Sequence, residues 1–178
     1  MALFSLPVED GAIMADTENR KLFDFVARCE DPDQLRNVIA NAKRNSRSDL
    51  ADAAFRRLIS ILPEESPGTV EHDLWQTVHA FEQLLSEERG RTTRLSRTRQ
   101  KLARVGVVQT LSDWANDSKQ TDGFRMLLER NMPELTGEAV VLRHPESFDS
   151  ATVAAAAKRL TEAGIDPTGM TEGTRTVP

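Results

Sequence analysis

Seven basic residues fall between positions 89 and 104 with no acid among them: Arg89, Arg91, Arg94, Arg97, Arg99, Lys101 and Arg104. A block of like charge this long marks a candidate interaction surface. Spacing sharpens that reading. On a helix predicted over 93–105, at about 100° per residue, Arg94, Arg97, Lys101 and Arg104 share an arc of about 80°. Leu95, Thr98, Leu102 and Val105 form the neighbouring stripe, so the helix can bury one side and keep a ladder of cations beside it. Each guanidinium fork can donate two bonds to phosphate oxygens. Thr92, Thr93, Ser96 and Gln100 add neutral donors of the kind that touch phosphates or base edges. The expected chemistry is nucleic-acid contact, with Arg91, Arg94, Arg97, Lys101 and Arg104 on phosphate and Arg99 reaching out from another side. No aromatic interleaves these arginines, which disfavours a base-stacking platform for single strands.

The segment just before has the opposite sign. Between Leu58 and Glu88 stand seven acids, at 64, 65, 71, 73, 82, 87 and 88, and no lysine or arginine. A turn at Gly90 would let the two segments pack antiparallel and neutralise each other. A third use for the cations is an acidic protein partner, which makes a helical protein-interaction module the alternative to a nucleic-acid-binding protein.

Other constellations are thinner. His72, His79 and Glu82 share one predicted helix, but zinc takes three or four ligands on one centre, and the next histidine is His144. A histidine bonded to Glu82 or to a carbonyl is the expected arrangement, with no metal and no cofactor. Glu134 and Glu138 lie near a segment, 139–142, that reads as a helical turn or a short strand. A restriction-nuclease core would place a lysine two residues after its second acid; Val140 stands there. A small nuclease or DNA-processing component is therefore the third function in rank, and no glycine-rich phosphate loop or serine nucleophile turn is present.

The whole chain limits these choices. Its 178 residues fit one domain, the net charge of −5 argues against indiscriminate polyanion binding, and one cysteine, Cys29, excludes a disulfide framework. Cys29 sits where a small core residue belongs. No apolar run approaches the length of a membrane span, so no membrane partner is expected. Five lysines among 23 basic residues, with abundant alanine, fit a GC-rich coding sequence, and the expectation is a bacterial, cytoplasmic protein. A homodimer would present two basic helices and is compatible with this reading.

The elements that must hold the cations are helices. Capping residues and apolar spacing predict them at 17–30, 33–44, 48–62, 70–89, 93–105, 108–116, 123–130 and 150–163. The fold class is all-α, a bundle of about seven or eight short helices over 15–163, with an irregular arm over 1–14 and a disordered tail over 164–178. The segment 31–63, with Ala53, Ala54 and the closing Pro63, resembles one tetratricopeptide-type hairpin, without a second copy at that period. The stretch 100–108, with Leu111 and Trp114, is faintly similar to a DNA-reading helix-turn-helix. It has two residues, Arg104 and Val105, where that family has three between its alanine and its glycine.

Overall fold

The computed structural model describes residues 9–170, with side chains from residue 17 onward. Nine α-helices and no strand occur among the described residues, in keeping with the all-α expectation and one or two helices beyond its count. Contacts among the described residues gather in two compact units that divide between Leu62 and Pro63. Pro63, with no amide hydrogen to give, ends the last helix of the first unit, and a Pro- and Gly-containing turn follows.

The first unit holds α1 (Glu9–Arg28), α2 (Pro32–Arg44) and α3 (Ser48–Ile61). Asp31 caps α2 by accepting from the amides of Asp33 and Gln34, and Pro32 takes the first helical position, where its missing N–H costs nothing. Leu35, Ile39 and Ala42 of α2 are buried, as are Leu50, Ala54, Phe55, Leu58 and Ile59 of α3. The two helices form the expected hairpin, and α1 also packs on α3. Arg57 Nε donates to the carbonyl of Cys29 at 2.9 Å, tying the end of α1 to α3. Cys29 itself is buried. The arm expected over 1–14 is helical from Glu9: Ala12, Met14 and Ala15 are good helix formers that carry α1 past the predicted cap at 16–17. The rest of that arm lies outside the described residues.

The second unit holds α4 (Val70–Arg89), α5 (Ser96–Val105), α6 (Val107–Asn116), α7 (Asp122–Glu129), α8 (Gly137–Arg143) and α9 (Ser150–Glu162). Its core is built from Leu74, Val78, Leu111, Phe124, Val140, Val141, Ala156 and Leu160. The ambiguous segment 139–142 is helical. Thr136 caps it by accepting from the Ala139 amide, and α6 and α9 both pack on α8, which buries Ala139, Val140, Val141 and Leu142.

The tail expected over 164–178 begins with ordered structure. Gly164, at φ +80°, adopts the left-handed conformation that glycine tolerates. The Ile165 amide then donates to the Leu160 carbonyl and the Gly164 amide to that of Thr161, each at 2.9 Å, a Schellman closure of α9. This turns Ile165 and Met170 back onto the core. The cap is local chemistry, but the burial that follows depends on where α9 lies. Residues 171–178 lie outside the described residues.

Candidate nucleic-acid interface

The basic segment is anchored by α4. Gly90 ends α4 in the left-handed region, and the chain runs back as a loop through Arg94. Ser86 Oγ accepts from the Thr93 amide at 2.8 Å. Leu95, at φ −81° and ψ 66°, makes an inverse γ-turn in which the Ser96 amide donates to the Arg94 carbonyl at 3.0 Å. Helix α5 has no side-chain cap of its own. Instead Glu82 Oε1 accepts from the Leu95 amide at 2.8 Å. The helix expected over 93–105 therefore starts at Ser96: the γ-turn takes Leu95 out of the helical conformation, and the Glu82 carboxylate satisfies the Leu95 amide.

Glu82 does more than anchor the loop. Its Oε1 accepts from Arg99 Nε at 2.8 Å and its Oε2 from Arg99 Nη2 at 2.7 Å, a bidentate pair. The Arg99 guanidinium also lies over the Trp75 ring, 4.7 Å from its centroid. Arg99, expected to reach outward, faces α4 instead. It stands about 200° from Arg97 on the helical wheel, on the side of the buried Leu102. Burial pushes the Glu82 carboxyl up, but Arg99, the Leu95 amide and His79 together hold it below the usual glutamate range.

Lys101 is also engaged. Its Nζ lies 2.6 Å from Asp113 Oδ2 on α6, and Gln109 donates to the same carboxylate. A single residue, Gly106, joins the two helices at φ 82° and ψ 176°, a conformation confined to glycine. Arg91, Arg94, Arg97 and Arg104 have a different setting. All four are exposed, and no ion pair engages them among the described residues. Arg97 and Arg104 are two turns apart on α5 and share a face, while Arg91 and Arg94 sit on the docked loop. Val105, expected in the buried stripe, is 38% exposed, and Val108 across the Gly106 junction is 39% exposed.

The acidic segment does little to neutralise the ladder. Between it and 89–104, Glu82–Arg99 is the ion pair found among the described residues. Its other buried acid, Asp73, accepts through Oδ2 from Arg143 Nε and meets His144 Nε2, each at 2.9 Å. Glu87 meets Arg130 at 3.0 Å.

The histidines have local partners. His72 Nδ1 lies 2.9 Å from the Glu65 carbonyl and Nε2 lies 3.1 Å from Gln76 Nε2, so Nδ1 carries the proton and Nε2 accepts. His79 stands 3.8 Å from Glu82, too far for the expected hydrogen bond. Burial holds its imidazole below the usual range despite that carboxylate. No group of three or more His, Cys, Asp or Glu side chains among the described residues is arranged to hold a metal ion. Glu138, weighed in the nuclease reading, is buried on α8 and accepts from Arg159 at 2.8 Å. Burial pushes its carboxyl above the usual range even with Arg159 beside it.

Sequence reasoning located the basic segment and missed what fixes it. Glu82 and Ser86 were legible only as α4 residues, and their partners lie 7–17 positions away. The available signal was Glu82 itself, an acid on the apolar side of an amphipathic helix. Among the described residues, no helix is long and apolar enough to cross a membrane. No protein-family model, curated protein or solved structure matches this chain, so its functional reading rests on its own residues.

Proposed function

We propose that this protein is a non-enzymatic nucleic-acid-binding protein, for DNA ahead of RNA, with a regulatory or accessory role. Arg91, Arg94, Arg97 and Arg104 form its phosphate-contacting surface. The observation that supports this is the division of labour in the basic segment. Arg99 is engaged inside the domain and Lys101 is paired with Asp113 at its surface, whereas these four guanidiniums are exposed without acidic partners among the described residues. Exposed arginines on a docked loop and one helix face suit a charged backbone better than a small ligand, since nothing encloses them. Arg99 is a positioning residue: through Glu82 it holds the loop that carries Arg91 and Arg94.

A second reading has its own observation. Val105 and Val108 form an exposed apolar pair beside Arg104 at the Gly106 junction. An apolar centre with a charged rim suits a protein partner with an acidic surface.

Fluorescence anisotropy with labelled duplex DNA, single-stranded DNA and RNA across a salt series tests the first reading. Four neutralised phosphates give a log–log salt slope of roughly −3 to −4. The Arg91, Arg94, Arg97, Arg104 quadruple alanine variant, checked for folding by circular dichroism, should lose most of that binding, while Lys101→Ala keeps most of it. Absence of binding at low salt, or equal binding by the folded quadruple variant, overturns the reading. An acidic protein bound through Val105 and Val108 would then favour the second.

A further inference from the structure

Beneath the basic helix the second unit holds a partly open cavity of about 90 Å³, bounded by residues of α4 through α8 and the loops beside them. Its walls are largely apolar, with Val78, Phe81, Phe124 and Leu127 prominent; of the polar residues, Thr77 and Thr121 have backbone partners for their hydroxyls, which leaves Glu138 from α8 and Thr98 from α5. Arg159 donates to Oε1 of Glu138, and no side-chain donor reaches Oε2. No buried side-chain oxygen or nitrogen in the described structure lacks a partner while being sealed from space, so Oε2 borders accessible volume. The Thr98 hydroxyl likewise has no hydrogen bond among the described residues, although Thr98 is half-buried.

These features define a ligand class. Interiors are packed to crystal-like density, so a hole of this size among well-packed rings is uncommon. Glu138 Oε2 and the Thr98 hydroxyl give one polar end, while the walls of Val78, Phe81, Phe124 and Leu127 offer water no partner, so the body of a guest there is apolar. Charge narrows the choice further. Arg159 already balances Glu138, so a cationic guest would bury a net positive charge and an anionic one would face the carboxylate. A neutral donor fits the second carboxylate oxygen. Size sets the body: a dry cavity of about 150 Å³ accepts benzene, so this one accommodates roughly four or five non-hydrogen atoms.

We propose that this cavity is a binding site for a small neutral alcohol with a short branched aliphatic body. The hydroxyl donates to Glu138 Oε2, and the carbons fill the space among Val78, Phe81, Phe124 and Leu127. The site stands independently of the phosphate-binding reading, though Leu95 and Thr98 place it against the segment that carries the arginines.

The test uses the full chain with labelled methyl groups, titrated with isobutanol and separately with isobutylammonium chloride. These probes have the same shape and differ in charge. Isobutanol should produce saturable shifts of the Val78 and Leu127 methyls, with a dissociation constant of about 1–10 mM, in line with what a ligand of so few atoms can reach. Isobutylammonium should bind at least tenfold more weakly. Thr98→Leu, which fills the cavity from its half-buried edge, should abolish the saturable shifts. Shifts that stay linear with isobutanol concentration, equal binding of the two probes, or undiminished binding by folded T98L overturns the proposal. The comparison of the two probes needs no variant, so it decides the question even if T98L fails to fold.

Discussion

Glu82 and Glu138 are both buried, both sit in the second unit, and both face an arginine, yet their carboxyls shift in opposite directions. Three donors converge on Glu82, two from Arg99 and one from the Leu95 amide, and they outweigh the cost of burial. Glu138 receives a single side-chain donor, from Arg159, and burial wins. The difference teaches that donors and depth act together: Glu138 keeps 3% of its side-chain exposure against 11% for Glu82, so the deeper acid is also the one with fewer donors. It also separates two roles. The saturated carboxylate holds a loop in place, and the undersupplied one lines a cavity.

Removing the arginine from each pair should give unequal losses. Arg159 serves Glu138 and also donates to the carbonyls of Trp114, at 2.5 Å, and Asp117. Arg159→Met therefore strands a buried carboxylate and leaves the half-buried Trp114 carbonyl without its donor, an expected loss of about 3–5 kcal/mol in urea unfolding at pH 7. Arg99→Met leaves Glu82 its Leu95 amide and should cost less, about 1.5–3 kcal/mol. Equal losses would contradict this ranking of the two pairs. In R99M the Thr93 and Leu95 amides should also exchange faster with solvent, since the loop they anchor has lost half its clasp.

The pH dependence should separate the two acids by sign. In the folded chain Glu138 keeps its proton at pH values where an unfolded chain has released it. The native state then binds more protons, so stability falls as pH rises from about the ordinary glutamate value through the raised native one. The slope is at most about 1.4 kcal/mol per pH unit for one group. Glu82 runs the other way: its contribution is present above the ordinary value and is lost as pH falls through the lowered native one. Glu138→Gln should remove the falling limb, and Glu82→Gln should remove the rising limb at acid pH. A Glu138→Gln curve parallel to that of the parent protein would contradict the assignment.

How much of this was visible beforehand follows from interaction range. Caps such as Asp31, Thr69 and Asp149 act over two or three residues, and they placed their helices within a few positions. Two starts moved for different reasons: α1 begins at Glu9, eight residues early, on its own helix formers. The start of α5 depends on Glu82, 13 residues before Leu95, so local pattern extended that helix too far. The division at 62–63 and the burial of Ile165 are likewise products of packing. The ladder at 89–104 was plain as charge, but which cations were already occupied was not. Arg99 and Arg97 look alike in the sequence; only the position of α4 makes one internal and leaves the other exposed.

The smallest effect completes the comparison at the surface. Lys101 and Asp113 approach to 2.6 Å, closer than Arg159 and Glu138, but their side chains keep 30% and 42% of their exposure. Lys101 and Gln109 hold Asp113 below the usual carboxylate range, which reflects local bonding rather than burial. Water screens such a pair, and ordering a long lysine side chain offsets much of the attraction. Lys101→Met should therefore change stability by less than about 1 kcal/mol. That small loss should vanish at 1 M salt, where the screening length is about 3 Å. The Arg159→Met loss should persist there, because salt does not enter its buried site. A Lys101→Met loss matching that of Arg159→Met would show that distance alone ranks these pairs, and the argument from donors and depth would fail.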